Sequence, residues 1–124
     1  MIRGFRGATT VMENEEKQII DATAAMLDEI VTKNAILPED VVQVLISATP
    51  DITKTFPAKA MRVFRDDWTY VPVMCMQELD IEGGLAKCIR VMLTARTDLS
   101  QKEIHHVYQQ QAIKLRPDLK EEHQ

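Results

Sequence analysis

Cysteine is scarce in this chain of 124 residues: Cys75 and Cys88 are the only two. Two thiols make no disulfide framework, which fits a reducing compartment and predicts a cytoplasmic protein. Long apolar runs are missing too. No stretch approaches the roughly 20 apolar residues that a membrane-spanning helix needs. The opening Met1-Ile2-Arg3-Gly4-Phe5-Arg6 has no apolar run of signal-peptide length. Neither a membrane partner nor secretion is expected. There is no phosphate loop and no dinucleotide fingerprint. No Cys or His lies at zinc-ligand spacing, and the adjacent His105 and His106 would diverge on a helix, so no metal is expected. A Cys75–His106 dyad has no local support for a thiolate. Internal repeats, low-complexity stretches and long linkers are absent as well.

What is present fits one globular domain: 45% hydrophobic and 27% charged residues. The formal net charge of −4 argues at face value against nucleic acid and other polyanions. The charge is local, however. Glu13 to Glu29 holds six acids and one base, Lys17, so this segment carries −5 and the remainder +1. Ile19, Ile20, Thr23, Met26, Leu27, Ile30 and Val31 recur in it at three- and four-residue spacing, which predicts an amphipathic helix with a solvated acidic face. Asn14 is the expected N-cap, and Lys33-Asn34 the expected end.

Residues 1–12 lean towards β-structure, and Pro38-Glu39-Asp40 reads as a turn. Val41 to Thr49 is nearly all apolar or β-branched and predicts a buried strand. Pro57 to Phe64 predicts a short helix, Asp66-Asp67 a loop, and Trp68 to Met76 a strand. Ile81-Glu82-Gly83-Gly84 reads as a turn and Cys88 to Thr97 as a strand. Ser100 and Glu103 form a capping-box pattern that predicts a helix to Gln110, with a last strand at Ile113 to Leu115. The order β-α-β-α-β-β-α-β indicates an α+β domain: a mixed five-stranded sheet with helices packed on it.

Arg90 is the most informative residue. Alternation puts Cys88, Arg90, Met92 and Thr94 on one face of an apolar strand. An arginine there needs a counter-anion, an internal salt bridge or a path to solvent, since an unpaired buried charge costs several kcal/mol. In Arg3-Gly4-Phe5-Arg6-Gly7, period two separates Arg3 and Phe5 from Gly4 and Arg6, and the glycines beside Arg6 leave room for a ligand or another chain. Cys75 and Glu78 fall on opposite faces of a regular strand, so they share a pocket only if the strand ends or bulges between them. Arg6, Lys59, Arg62, Arg90 and Arg116, with Tyr108 and Glu78, form a dispersed polar set suited to holding a small polyanion by positioning and electrostatics.

The run Arg3-Gly4-Phe5-Arg6-Gly7-Ala8-Thr9-Thr10 resembles the opening of the trimeric, barrel-like class of chorismate mutase. So do Leu45 to Asp51, Phe56-Pro57-Ala58-Lys59-Ala60, Val71-Pro72-Val73, Cys75-Met76-Gln77-Glu78, Gly83-Gly84-Leu85, Lys87 to Met92, His106-Val107-Tyr108 and Leu115 to Leu119. The resemblance spans residues 1–119, with residues 120–124 as a polar tail. It implies conversion of chorismate to prephenate by an intramolecular [3,3] rearrangement, with no cofactor. It further implies a homotrimeric pseudo-α/β-barrel with sites between subunits. Arg90 matches the arginine facing the ether oxygen and a substrate carboxylate, and Arg6 a second carboxylate-binding arginine. Glu78 and Cys75 match groups contacting the ring hydroxyl, and Tyr108 a carboxylate donor. Phe56, Lys59, Arg62, Val73, Leu115 and Arg116 match lining residues, the last two on a C-terminal segment that can close. Met74 stands where the family pattern has threonine, so the backbone contact is kept and the hydroxyl lost. The loop at Arg65-Asp66-Asp67 is about one residue longer than that pattern. The alternative is a small-carboxylate binder or imine-deaminase-like protein on a similar fold.

Overall fold

A computed structural model describes residues 1–115. The chain runs β1 (Ile2–Thr10), α1 (Glu16–Asn34), β2 (Val41–Ala48), α2 (Met61–Phe64), β3 (Val73–Gln77), β4 (Cys88–Arg96) and β5 (Val107–Tyr108). The strands form one mixed sheet in the order β3-β2-β4-β1-β5. β4 lies in the middle, antiparallel to both β1 and β2, while β3 and β5 join the edges in parallel. The expected mixed five-stranded sheet is present.

Alternation decides what the sheet buries. Ile89, Val91, Leu93 and Ala95 of β4 are buried, as are Val44 and Ile46 of β2 and Phe5 of β1. They pack against Ile19, Met26, Leu27 and Ile30 of α1. Each large side chain so buried contributes about 1.5–3 kcal/mol. The opposite face has no long helix over it and leaves Met74, Met76 and Met92 exposed.

Some local expectations are overridden by longer-range contacts. Asn14 does not cap α1. The N-cap is Glu15, with no side-chain bond, because the Asn14 amide oxygen accepts the backbone N–H groups of Thr53 and Lys54 instead. Asn34 ends α1, but Ala35 takes the left-handed conformation (φ 51°). The Asn34 side chain is committed elsewhere: it donates to His105 O (2.9 Å) and accepts from His105 N (2.8 Å). Only the second half of the Trp68–Met76 stretch is strand; Trp68 closes a 3-10 turn and is buried.

The largest departure follows Ser100. Its capping box with Glu103 forms, yet the helix stops after one 3-10 turn, Gln101–Glu103. Ile104 turns extended, and Val107–Tyr108 becomes the last strand. Residues 113–115, expected as strand, belong to the 3-10 turn Gln110–Leu115. The reason is tertiary: Gln109 N–H donates to Ala8 O, and both Ile104 and Val107 are buried. A β-branched segment gains more from pairing with β1 than from an exposed helix.

Gly7 has its missing side chain on the core side of β1, while its backbone lines the same cavity as Arg6. A Cβ there would sit 2.6 Å from Ile30 Cδ1 and 3.0 Å from Val91 Cγ1, so the glycine lets α1 approach the sheet. At Gly4 the nearest atom is the Met92 sulfur at 3.2 Å, the end of a flexible side chain. We expect Gly7→Val to destabilise by about 2–3 kcal/mol through overpacking, and Gly4→Ala by less than about 1 kcal/mol. Urea unfolding checks this through the midpoints, with the denaturant slope unchanged.

Candidate active site

Arg90, on the middle strand, stands directly across from Ser47 of β2. Its Nε lies 3.2 Å from Glu78 Oε2. The N–H is not directed at that oxygen, so the pair is ionic without a hydrogen bond. Glu78 follows the end of β3, and its backbone N–H donates to Ala48 O (2.9 Å), extending the β2–β3 ladder by one residue. The Ser47 hydroxyl donates to Glu78 Oε2 (3.0 Å), and the Leu79 N–H reaches Oε1 (3.2 Å). These groups line a cavity of about 280 Å³ together with Arg6, Tyr108, Met92 and Leu115. Among the described residues, Arg90 Nε and Tyr108 Oη have no hydrogen-bond partner. Two guanidinium groups and a phenol in one cavity offer donors for an anionic ligand.

Tyr108 reaches the cavity because β5 is fastened along β1. The Arg6 backbone N–H donates to His106 Nδ1 (3.0 Å), so the imidazole does the work of a strand carbonyl. Gln109 donates to Glu29 Oε1 (2.6 Å). Burial would raise the Glu29 carboxyl, but hydrogen bonds from Lys33 and Gln109 outweigh it and hold the group below its ordinary value. Asn34, His106 and Gln109 were not singled out from the sequence as supports of a site. An asparagine at a helix end was legible; its partner 71 residues away was not.

The other expected site residues lie elsewhere. Cys75 points to the helix side of β3, opposite Met74 and Met76, and lines a groove of about 580 Å³ with Phe56 and Lys59. Arg62 and Val73 join the same three residues in an adjoining groove of about 800 Å³. Burial raises the Cys75 thiol, so it stays protonated at neutral pH. Met74 is exposed on the helix-free face. Cys75 and Glu78 therefore do not share a cavity within one chain. Arg116 and the tail at 120–124 lie outside the described residues. No group of three His, Cys, Asp or Glu is placed to hold a metal ion among the described residues. No described helix is long and apolar enough to cross a membrane.

The family model described as chorismate mutase type I matches residues 2–119. The chain belongs to this family. It is 56% identical over 119 residues to chorismate mutase AroH of Bacillus subtilis (strain 168), covering 96% of this chain and 93% of that protein. It is 38% identical over 120 residues to chorismate mutase AroH of Thermus thermophilus, covering 96% and 97%. A solved chorismate mutase from Clostridium thermocellum superposes with a TM-score of 0.85 at 40% identity, covering 89% of this chain and 96% of that one. The expected enzyme class, an isomerase of the chorismate mutase type, stands on these matches and displaces the binder or deaminase alternative.

In this chorismate mutase, the start of β4 is set two residues ahead of Arg90. Lys87, at φ 48°, donates its N–H to the Asp51 carboxylate (2.9 and 3.2 Å). Cys88 N–H donates to Thr49 Oγ1 (3.0 Å). Burial would raise Asp51, but the Thr49 hydroxyl and the Lys87 N–H outweigh it and hold the carboxyl below its ordinary value. A depressed carboxylate stabilises the fold above its unfolded pKa, and that stabilisation is lost as pH falls through the folded value. We expect Asp51→Asn to be less stable than the parent at pH 7 and to show a shallower loss of stability below about pH 4. Thermal midpoints measured from pH 7 to pH 2.5 check this. Asn34→Ala removes the side-chain hydrogen bonds to Ile30 O, His105 O and His105 N, and we expect it to lower stability by about 2–3 kcal/mol. Faster hydrogen exchange confined to Tyr108 and its neighbours would mark loss of β5.

Proposed function

We propose that this chorismate mutase completes its active site between neighbouring copies of a homotrimer. The observation carrying the proposal is the split between Cys75 and Glu78: three residues apart at one sheet edge, they open into different cavities. Arg6, Glu78, Arg90, Tyr108 and Leu115 form one half of a site, and Phe56, Lys59, Arg62, Val73 and Cys75 the other. The exposed Met74, Met76 and Met92 give the helix-free face an apolar surface that copies of the chain can cover.

The chemistry follows from the substrate. Chorismate is an enol-pyruvyl ether with two carboxylates. The ether C–O bond breaks while a new C–C bond forms, and negative charge grows on the ether oxygen. No proton changes hands and no covalent intermediate is needed. Catalysis then consists of holding the compact conformer and stabilising that charge. Arg90 carries a guanidinium that is always charged and whose Nε–H has no hydrogen-bond partner among the described residues, suited to the ether oxygen and an adjacent carboxylate. Arg6 and Tyr108 take carboxylates. Glu78 and the neutral Cys75 thiol contact the ring hydroxyl, and Glu78 faces the ring as it gathers positive character. Lys59, Arg62 and Arg116 add positive charge from the lining, Phe56, Val73 and Leu115 exclude water, and Met74 contributes its backbone.

We expect purified protein to convert chorismate to prephenate, with the product identified directly. Arg90→Gln should lower kcat by about 10²–10³ while changing KM less, because the lost interaction belongs to the transition state. Unchanged kcat would remove Arg90 from that role. Arg90→Gln and Lys59→Gln damage different halves. Mixed by unfolding and refolding together, the two variants should recover activity at about a quarter of the sites, those assembled from two intact halves. No recovery would place the whole site in one chain.

A further inference from the structure

We infer that Ser47 is a positioning residue that holds Glu78 in place while Arg90 is transferred from Glu78 to the substrate. In the unliganded chain Glu78 Oε2 has two polar neighbours: the Ser47 hydroxyl at 3.0 Å and Arg90 Nε at 3.2 Å. Ser47 and Arg90 are cross-strand partners in the β2–β4 register, so both reach the carboxylate from adjacent strands. Arg90 cannot serve an incoming anion fully while it neutralises Glu78. When a dianion draws the guanidinium away, Glu78 loses its counter-charge, and its side chain is only 25% exposed. A half-buried carboxylate then needs donors of its own. The Leu79 N–H serves Oε1, and Ser47 is the side chain that still serves Oε2. The exchange shifts no proton and breaks no covalent bond.

This inference rests on the proposed site, and it assigns Ser47 to binding more than to the chemical step. Without the hydroxyl, Glu78 keeps Arg90 more tightly in the free protein and is left poorer in donors in the complex. Ser47→Ala should therefore raise KM, and the dissociation constant of prephenate measured by titration calorimetry, about tenfold with kcat within about twofold. Ser47→Thr, which keeps the hydroxyl, should stay within about twofold of the parent in both. In a Glu78→Ala background the Ser47→Ala change should have no further effect on prephenate affinity. Unchanged affinity in Ser47→Ala would overturn the inference, and so would an equal loss with and without Glu78. If Ser47→Ala does not fold, Ser47→Cys, a weaker donor of similar shape, carries the same test. Parent protein that neither consumes chorismate nor binds prephenate would refute the proposed site itself. Parent activity with an indifferent Ser47 would refute only this step.

Discussion

A guanidinium on the middle strand of a sheet is the feature around which this protein is arranged. Arg90 is charged at every physiological pH, and leaving such a charge buried and unpaired costs several kcal/mol. Three structural facts meet that demand. The face of β4 carrying Arg90 has no long helix over it. Glu78, anchored by its backbone to β2, supplies an opposite charge at 3.2 Å. A cavity opens beside both. The opposite face of the same strand does the reverse, burying Ile89, Val91 and Leu93 under α1. One period-two pattern thus supplies both the core and the cavity wall.

The ion pair also sets the resting state. Arg90 faces Glu78 without a hydrogen bond, so the contact is coulombic, and in the proposed site it yields to a ligand that offers aligned acceptors. A better aligned pair would compete harder with substrate. The strand carrying Arg90 is held from its start by Asp51 and Thr49, and the tyrosine across the cavity by Asn34 and His106. These supports lie outside the cavity and act through backbone placement. They hold the two strands that carry the cavity's donors.

Bulk charge was a poor guide to the partner. The −4 of the whole chain comes from residues 13–34, α1 and the turn before it, where Lys17 pairs with Asp21 and Lys33 with Glu29. The helix packs on one face of the sheet, and Arg90 lies on the other. The isoelectric point says nothing about the two arginines that line the cavity.

The stripe of α1, the alternation of β4 and the capping box at Ser100 were legible in the residues themselves, because each is a short-range pattern set by covalent geometry. So was the family, through several motifs in order. Four outcomes were decided only in the folded molecule: the committed side chains of Asn14 and Asn34, the replacement of a helix by β5, and the separation of Cys75 from Glu78. Each depends on partners 30 to 100 residues away or on which cavity lies against a given strand face. Spacing along the chain named the two faces of β3, but only packing determined that one looks under the sheet and the other across it towards Arg90.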